Sequence, residues 1–167
     1  KIPGPINLLA EIQTLGAGLF VNNVSITNFD FTGNPNFVSE NGAVMDSNKT
    51  TVYAYAPAYS GTSLTLPSTV QVINDYAFTD AKKLTELTLP NGLTTIKSYA
   101  FSNMIKVSNL VIPSTVTYVG EGAFTNWGFS GAQTITFSCT LDYALMHFDQ
   151  YYLTGIKAAS TTVKYNG

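Results

Sequence analysis

Residues 64–86 read LTLPSTVQVINDYAFTDAKKLTE, residues 87–109 LTLPNGLTTIKSYAFSNMIKVSN, and residues 110–132 LVIPSTVTYVGEGAFTNWGFSGA. Proline recurs at 67, 90 and 113 and phenylalanine at 78, 101 and 124, a spacing of 23 in both cases, with alanine before each phenylalanine. A fixed period of this length is the mark of a solenoid, whose units bury a core only by stacking on their neighbours. Leu64/Leu66, Leu87/Leu89 and Leu110/Ile112 alternate with polar residues, as half-buried strands do. The following proline ends each strand, because it has no N–H for the ladder. Val70/Ile73, Leu93/Ile96 and Val116/Val119 then suit a tight arc with one face inward. Asp75-Tyr76-Ala77-Phe78 and its equivalents are expected to form a short helical turn, capped by Asn74 or Ser98. Leu84 and Val107 point back inward.

Working outward, moving Phe78 back onto Phe20 is an offset of 58. It places Ile6 and Leu8 on Leu64 and Leu66, Ile12 and Leu15 on Val70 and Ile73, and Ile26, Phe29 and Phe31 on Leu84, Leu87 and Leu89. Residues 1–33 thus read as a degenerate N-terminal repeat, with Leu9 and Thr32 where proline would stand. Residues 34–61 interrupt the period. Asn41-Gly42 between two apolar runs is a hairpin signal, and Thr51-Val52-Tyr53-Ala54-Tyr55 supplies a further strand of a β-meander. Residues 62–137 hold the regular repeats; Phe137 follows Ile112 by 25 residues rather than 23, and Trp127 and Phe129 are expected to fill the expansion. Residues 138–167 read as a C-terminal capping repeat, with helix within Leu141–Tyr152 and a last strand at Thr161–Tyr165, Val163 and Tyr165 facing in. The expected fold is one α/β solenoid domain, β-rich, with a curved parallel sheet and short helical turns on its convex side.

Composition narrows the functions open to such a chain. Of 167 residues, 45% are hydrophobic and 11% charged, with ten tyrosines and ten phenylalanines, so disorder is excluded and one sizeable core is affordable. The net charge is −2, and all eight basic residues are lysine. Without arginine, and with only Lys82 and Lys83 adjacent, nucleic acid and anionic membranes are not expected partners. No apolar run reaches the length of a membrane helix, so no membrane insertion is expected within this segment. The single Cys139 permits no intramolecular disulfide. The opening Lys1-Ile2-Pro3-Gly4-Pro5 has neither an initiator methionine nor a signal peptide and reads as part of an excised or processed segment.

The pattern Leu-x-Leu-Pro-x-x-Val-x-x-Ile-x-x-Tyr-Ala-Phe-x-x-x-x-x-Leu resembles the BspA-like class of bacterial leucine-rich repeats. The resemblance covers Leu64 to Phe137 strongly and Ile6 to Phe31 weakly. Phe37-Val38-Ser39-Glu40-Asn41-Gly42-Ala43-Val44, followed by Tyr53-Ala54-Tyr55-Ala56-Pro57, resembles a segment that often precedes such repeats. Two departures stand out: Gly122 where Tyr76 and Tyr99 stand, and Ser130 where Leu84 stands. The resemblance implies a surface-exposed or secreted bacterial protein, and in some members adhesion to host proteins.

Stacked strands would expose their alternate residues on one concave face: Ser63, Thr65, Glu86, Thr88, Asn109, Val111, Thr134, Thr136, Thr162 and Lys164. Of these, Thr65, Glu86, Thr88, Asn109, Val111, Thr134 and Thr136 are the binding candidates, weighed against the ordinary use of threonine on exposed strands. Tyr53, Tyr55 and Tyr59 form an aromatic candidate cluster, although packing between loops is the commoner role of such residues. A catalytic set would need Cys139, the sole His147, and Asp142 or Asp149, but Cys139 falls on the inward parity. Asp142 and Asp149 as a glycosidase pair have only nearness in sequence behind them. Asp46, Asn48 and Thr50 lack the glycine and glutamate of a calcium loop, and Asn23-Val24-Ser25 and Asn48-Lys49-Thr50 match the short glycosylation acceptor pattern. The expectation is therefore a monomeric, non-enzymatic module that binds a protein or glycan, without metal or cofactor. A structural spacer is the alternative, and a cysteine-dependent enzyme a remote one.

Overall fold

The computed structural model describes residues 4–7 and 11–167; Leu8 and Leu9, matched above to Leu66 and Pro67, lie outside that set. In chain order the strands are β1 (Gly4–Asn7), β2 (Ile26–Asp30), β3 (Phe37–Glu40), β4 (Ala43–Asp46), β5 (Thr51–Tyr55), β6 (Ser63–Thr65) and β7 (Val72–Ile73). There follow β8 (Glu86–Thr88), β9 (Thr95–Ile96), β10 (Asn109–Ile112), β11 (Tyr118–Val119), β12 (Gln133–Phe137), the helix α1 (Leu141–His147) and β13 (Thr161–Tyr165). The concave strands pair in parallel at the offsets read from the sequence: Leu64 lies opposite Leu87, 23 residues on, and Leu110 opposite Ile135, 25 residues on. The degenerate repeat obeys the same register, with Ile6 opposite Phe29.

A second sheet runs along the arcs. The two-residue strands β7, β9 and β11 pair in parallel, and β7 continues onto β5 of the antiparallel meander β3–β4–β5. The meander therefore extends the arc sheet while dividing the core. Alternate strand residues face opposite sides, a bulge between Val52 and Ala54 switches the parity within β5, and here both sides are buried. Val44 and Ala54 pack with Ile26, Phe29, Phe31 and Phe37, whereas Met45, Val52 and Tyr55 join the larger core of the regular repeats.

That larger core is threaded by one aromatic column. Tyr55, Phe78, Phe101 and Phe124 stack with successive centroid separations of 5.5, 5.7 and 5.7 Å. Phe137 meets Phe124 edge-on, and Tyr165 stacks on Phe137 at 5.3 Å. Trp127 is completely buried, and its Nε1–H donates to the Phe101 carbonyl at 2.8 Å, filling the two-residue expansion. Phe129 does not share in this: it is 59% exposed, because the chain has already turned outward at Gly128, whose φ is +83°.

The convex segments are successive single turns, closed by bonds such as Ala77 N–H to the Asn74 carbonyl, and no helix forms there. The cause is two left-handed residues per repeat. One column is Gly18, Tyr76, Tyr99 and Gly122, with φ of 66°, 59°, 56° and 57°; four residues on, the other is Asn22, Asp80, Asn103 and Asn126, with φ of 66°, 63°, 58° and 66°. Asparagine and aspartate tolerate this region best after glycine. The alternation turns every second N–H along the solenoid: those of Tyr76, Phe78 and Asp80 reach the carbonyls of Ser98, Ala100 and Ser102 on the next rung. The expected caps do other work. Asn74 Oδ1 accepts from Lys97 Nζ at 2.8 Å, and the Ser98 N–H donates to Asp75.

The same geometry explains Gly122. Tyr76 and Tyr99 stack at 5.1 Å with their planes 7° apart. A Cβ on Gly18 would lie 3.1 Å from the Tyr76 ring, and one on Gly122 would lie 2.6 Å from the Tyr99 ring. Two glycines thus bracket a two-ring stack. Gly122→Tyr, which would extend the repeat pattern, is expected to lower stability by on the order of 1–3 kcal/mol through left-handed strain and collision with Tyr99. Urea unfolding measures it, and a stabilised variant would contradict this account of the stack.

Candidate binding face

Strand parity delivers the concave face as read from the sequence. Thr65 lies opposite Thr88. Asn109 and Val111 lie opposite Thr134 and Thr136, which in turn lie opposite Thr162 and Lys164. Thr65, Glu86, Thr88, Asn109 and Val111 are exposed, Val111 by 57%, while Thr134 and Thr136 are half-buried. Glu86 is engaged by Ser63, whose hydroxyl lies 3.2 Å from its carboxylate.

The face is not uniform. The concave ladder breaks between β8 and β10, which lie side by side in separate sheets, although the arc strands behind them stay paired. At this break sits a recess of about 380 Å³, lined by Leu87, Thr88, Leu89, Asn91, Asn109, Val111, Pro113, Ser114 and Ser138. Leu87 and Leu89 reach its wall because no hydrogen bonds close the strands over them. Three of the sequence candidates, Thr88, Asn109 and Val111, converge here; Thr65, Glu86, Thr134 and Thr136 lie outside the lining. Asn91, Ser114 and Ser138 lie past the strand ends, where no strand pattern marks them, and Pro113 is marked in the sequence only as the proline that ends its strand. The lining carries amides, hydroxyls and aliphatic surface, but no charged or aromatic side chain.

The aromatic candidates separate. Tyr55 is a core residue with 3% exposure, stacked on Phe78. Burial, with the Tyr59 hydroxyl as a lesser cause, pushes its phenol up to about 12. Tyr53 packs edge-on against Phe37, and the half-buried Tyr59 wedges against Tyr55 and over Gly42 and Gly61. None of the three lines the recess.

The residues weighed for catalysis do not assemble. Cys139 is half-buried against the core, and burial raises its thiol, the opposite of what activates a nucleophile. His147 stacks on Tyr143 in an exposed position, its Nδ1 2.9 Å from the Tyr143 carbonyl oxygen. Asp142 sits in the first turn of α1, and Asp149 accepts the Tyr151 N–H within its own turn. Asp46 closes the 46–51 loop by accepting from Thr50 and Thr51. Among the described residues, no cluster of histidine, cysteine and carboxylates has metal-binding geometry, and no helix is long and apolar enough to cross a membrane.

Parallel rungs with leucines inward and polar residues on the concave face define a leucine-rich-repeat solenoid. More narrowly, the chain belongs to the BspA type: the family model described as "BspA type Leucine rich repeat region" matches residues 48–164 in six copies. Among solved structures, it is similar to a leucine-rich repeat protein from Eubacterium ventriosum, with 28% identity and a TM-score of 0.67 over 80% of this chain and 35% of that one. It is also similar to the pneumococcal vaccine antigen PcpA, with 23% identity and a TM-score of 0.62 over 82% and 39%. A leucine-rich cell surface protein from Faecalibacterium prausnitzii matches at 13% identity and a TM-score of 0.55 over 98% and 48%. The chain thus spans less than half the length of each of these proteins. No curated protein matches the sequence.

Proposed function

We propose that this chain is a non-catalytic binding module that takes up a protein or glycan on its concave face, with the recess between β8 and β10 as the point of engagement. The single observation that carries the reading is the convergence of Thr88, Asn109 and Val111 with Asn91, Ser114 and Ser138 on that recess. Concave solenoid surfaces serve as extended binding sites. A neutral lining with paired donors and acceptors suits an uncharged segment of ligand, since it offers no ion-pair partner and leaves its own amides free to bond. The aliphatic patch of Val111, Leu87, Leu89 and Pro113 supplies the dry part of the contact. From the BspA-type repeats we carry over the reading that the parent protein is secreted or displayed on a bacterial surface and that its ligand belongs to a host.

The test is a screen of the labelled chain on protein and glycan arrays at micromolar concentration, repeated with Thr88→Lys, Asn109→Ala and Val111→Asp. Each substitution is expected to weaken a specific hit about tenfold or more, the equivalent of ~1.4 kcal/mol. Thr162→Ala, on the same face but outside the recess, should leave it unchanged. No hit at all, or hits indifferent to the three recess substitutions, would remove the concave-face reading. The spacer alternative would then stand.

A further inference from the structure

The recess carries a second chemistry in its own lining. The chain has three Asn-Gly pairs, at 41–42, 91–92 and 166–167, and the fold treats the first two differently. Asn41-Gly42 is the tip of a hairpin, with φ of 50° and 83°. Glu40 and Ala43 pair beneath it, the Gly42 carbonyl accepts the Ala56 N–H at 2.8 Å, and the Tyr59 ring lies over Gly42. Asn91-Gly92 is the tip of a turn closed by the Leu93 N–H to Pro90 carbonyl bond at 3.1 Å. Both tip residues are exposed, and among the described residues neither the Gly92 N–H nor the Asn91 side-chain amide makes a hydrogen bond. A Cβ on Gly92 would stand 3.1 Å from the Ser68 carbonyl oxygen.

We infer that Asn91-Gly92 is a self-modifying site that places a carboxylate inside the neutral recess. The Gly92 nitrogen, once it has lost its proton, attacks Asn91 Cγ. An N–C bond forms, the bond from Cγ to the amide nitrogen breaks, and ammonia leaves with the proton, giving a five-membered imide. Water opens the imide at either carbonyl, yielding an aspartyl or a backbone-lengthened isoaspartyl residue; nothing is oxidised or reduced. Glycine suits the attacking position because no side chain shields its nitrogen. Among the described residues the Asn41 side chain and the Gly42 N–H are likewise without a hydrogen bond, but Gly42 is buried beneath Tyr59 and its carbonyl is held by Ala56, whereas Asn91 and Gly92 are both exposed and free to move. The product brings a negative charge to a lining that has none and, in its isoaspartyl form, lengthens the backbone just before the buried Leu93. The consequence for ligand affinity rests on the function proposed above, whereas the chemistry does not.

Two arms keep these apart. In the first, the folded chain is held at mildly alkaline pH, and sampled peptides are mapped for replacement of amide by acid and for isoaspartate. Asn91 is expected to convert several-fold faster than Asn41, the two rates converging in denaturant, and Asn91→Gln or Gly92→Ala should stop conversion at that site. Conversion at Asn41 as fast as at Asn91 in the folded chain, or an unchanged Asn91 while Asn166 converts, would overturn the inference. In the second arm, any array hit that depends on Asn109 is measured against Asn91→Asp and Asn91→Gln. Asn91→Asp is expected to bind about tenfold more weakly than Asn91→Gln, and equal binding by both would overturn the link to the ligand. An array without hits counts against the proposed function, while the peptide map still decides the chemistry.

Discussion

Replacing Phe101 by alanine is expected to lower the unfolding free energy by about 3–5 kcal/mol, the range for removing a large aromatic side chain from a core that cannot collapse around the void. Phe101 has no exposed surface and is the central member of the column, with Phe78 and Phe124 each 5.7 Å away. The rungs on either side are fixed in register by backbone bonds, including Phe78 N–H to the Ala100 carbonyl and Phe101 N–H to the Ala123 carbonyl at 2.9 Å. Neighbouring rings therefore cannot slide in to close the gap. Urea denaturation measures the loss, and Phe101→Leu should lose distinctly less. A loss below about 1 kcal/mol for alanine would mean the column is not packed as described, since even modest buried deletions exceed it.

Phe101 also marks how far the sequence could be read. Rung register, the inward leucines and the aromatic column follow from a strict period, because stacking forces every copy to bury the same positions. One of the two left-handed columns is as visible, as asparagine or aspartate two residues after Phe20, Phe78, Phe101 and Phe124, but such residues read first as caps or turns; the other, which includes Tyr76 and Tyr99, carries no such mark, so the sequence points to a helical turn instead. The stack of Tyr76 on Tyr99 makes Gly122 a necessity rather than a decay of the pattern. For the candidate site, strand parity is enough to expose Thr88, Asn109 and Val111. It says nothing of the break between β8 and β10, because the copies on both sides of that break obey the same spacing. Asn91, Ser114 and Ser138 gather only once three successive strands end beside one another, so their convergence belongs to packing and not to any local signal. Tyr55 shows the converse: Val52, Ala54 and Tyr55 of its strand are divided between two cores, so parity alone does not say which of its residues meet solvent.

Gln133→Leu is expected to be nearly as damaging, at about 3 kcal/mol or more, although it replaces a polar residue in the core by an apolar one of similar size. Gln133 is 3% exposed and opens β12 at the point where the repeat is two residues too long. Its Oε1 accepts the Gly128 N–H at 2.6 Å, and its Nε2–H bonds reach the carbonyls of Met104 and Val107 at 2.8 and 2.7 Å. One side chain therefore satisfies three backbone groups that the expansion has pulled out of register. Leucine would leave all three buried without partners, at about 1–3 kcal/mol each before relaxation. Gly128 cannot shift to compensate, since its left-handed backbone is packed against Thr161 and the Lys157 carbonyl. Hydrogen exchange at the Gly128 N–H supplies the specific readout: it should lose protection in Gln133→Leu while the Phe78 and Phe101 amides keep theirs. Retained protection together with a loss below about 1 kcal/mol would show that Trp127 alone carries the expansion, its own bond to the Phe101 carbonyl being worth about that much. The polar side chain and the indole would then be redundant braces on one junction, instead of two parts of a single device.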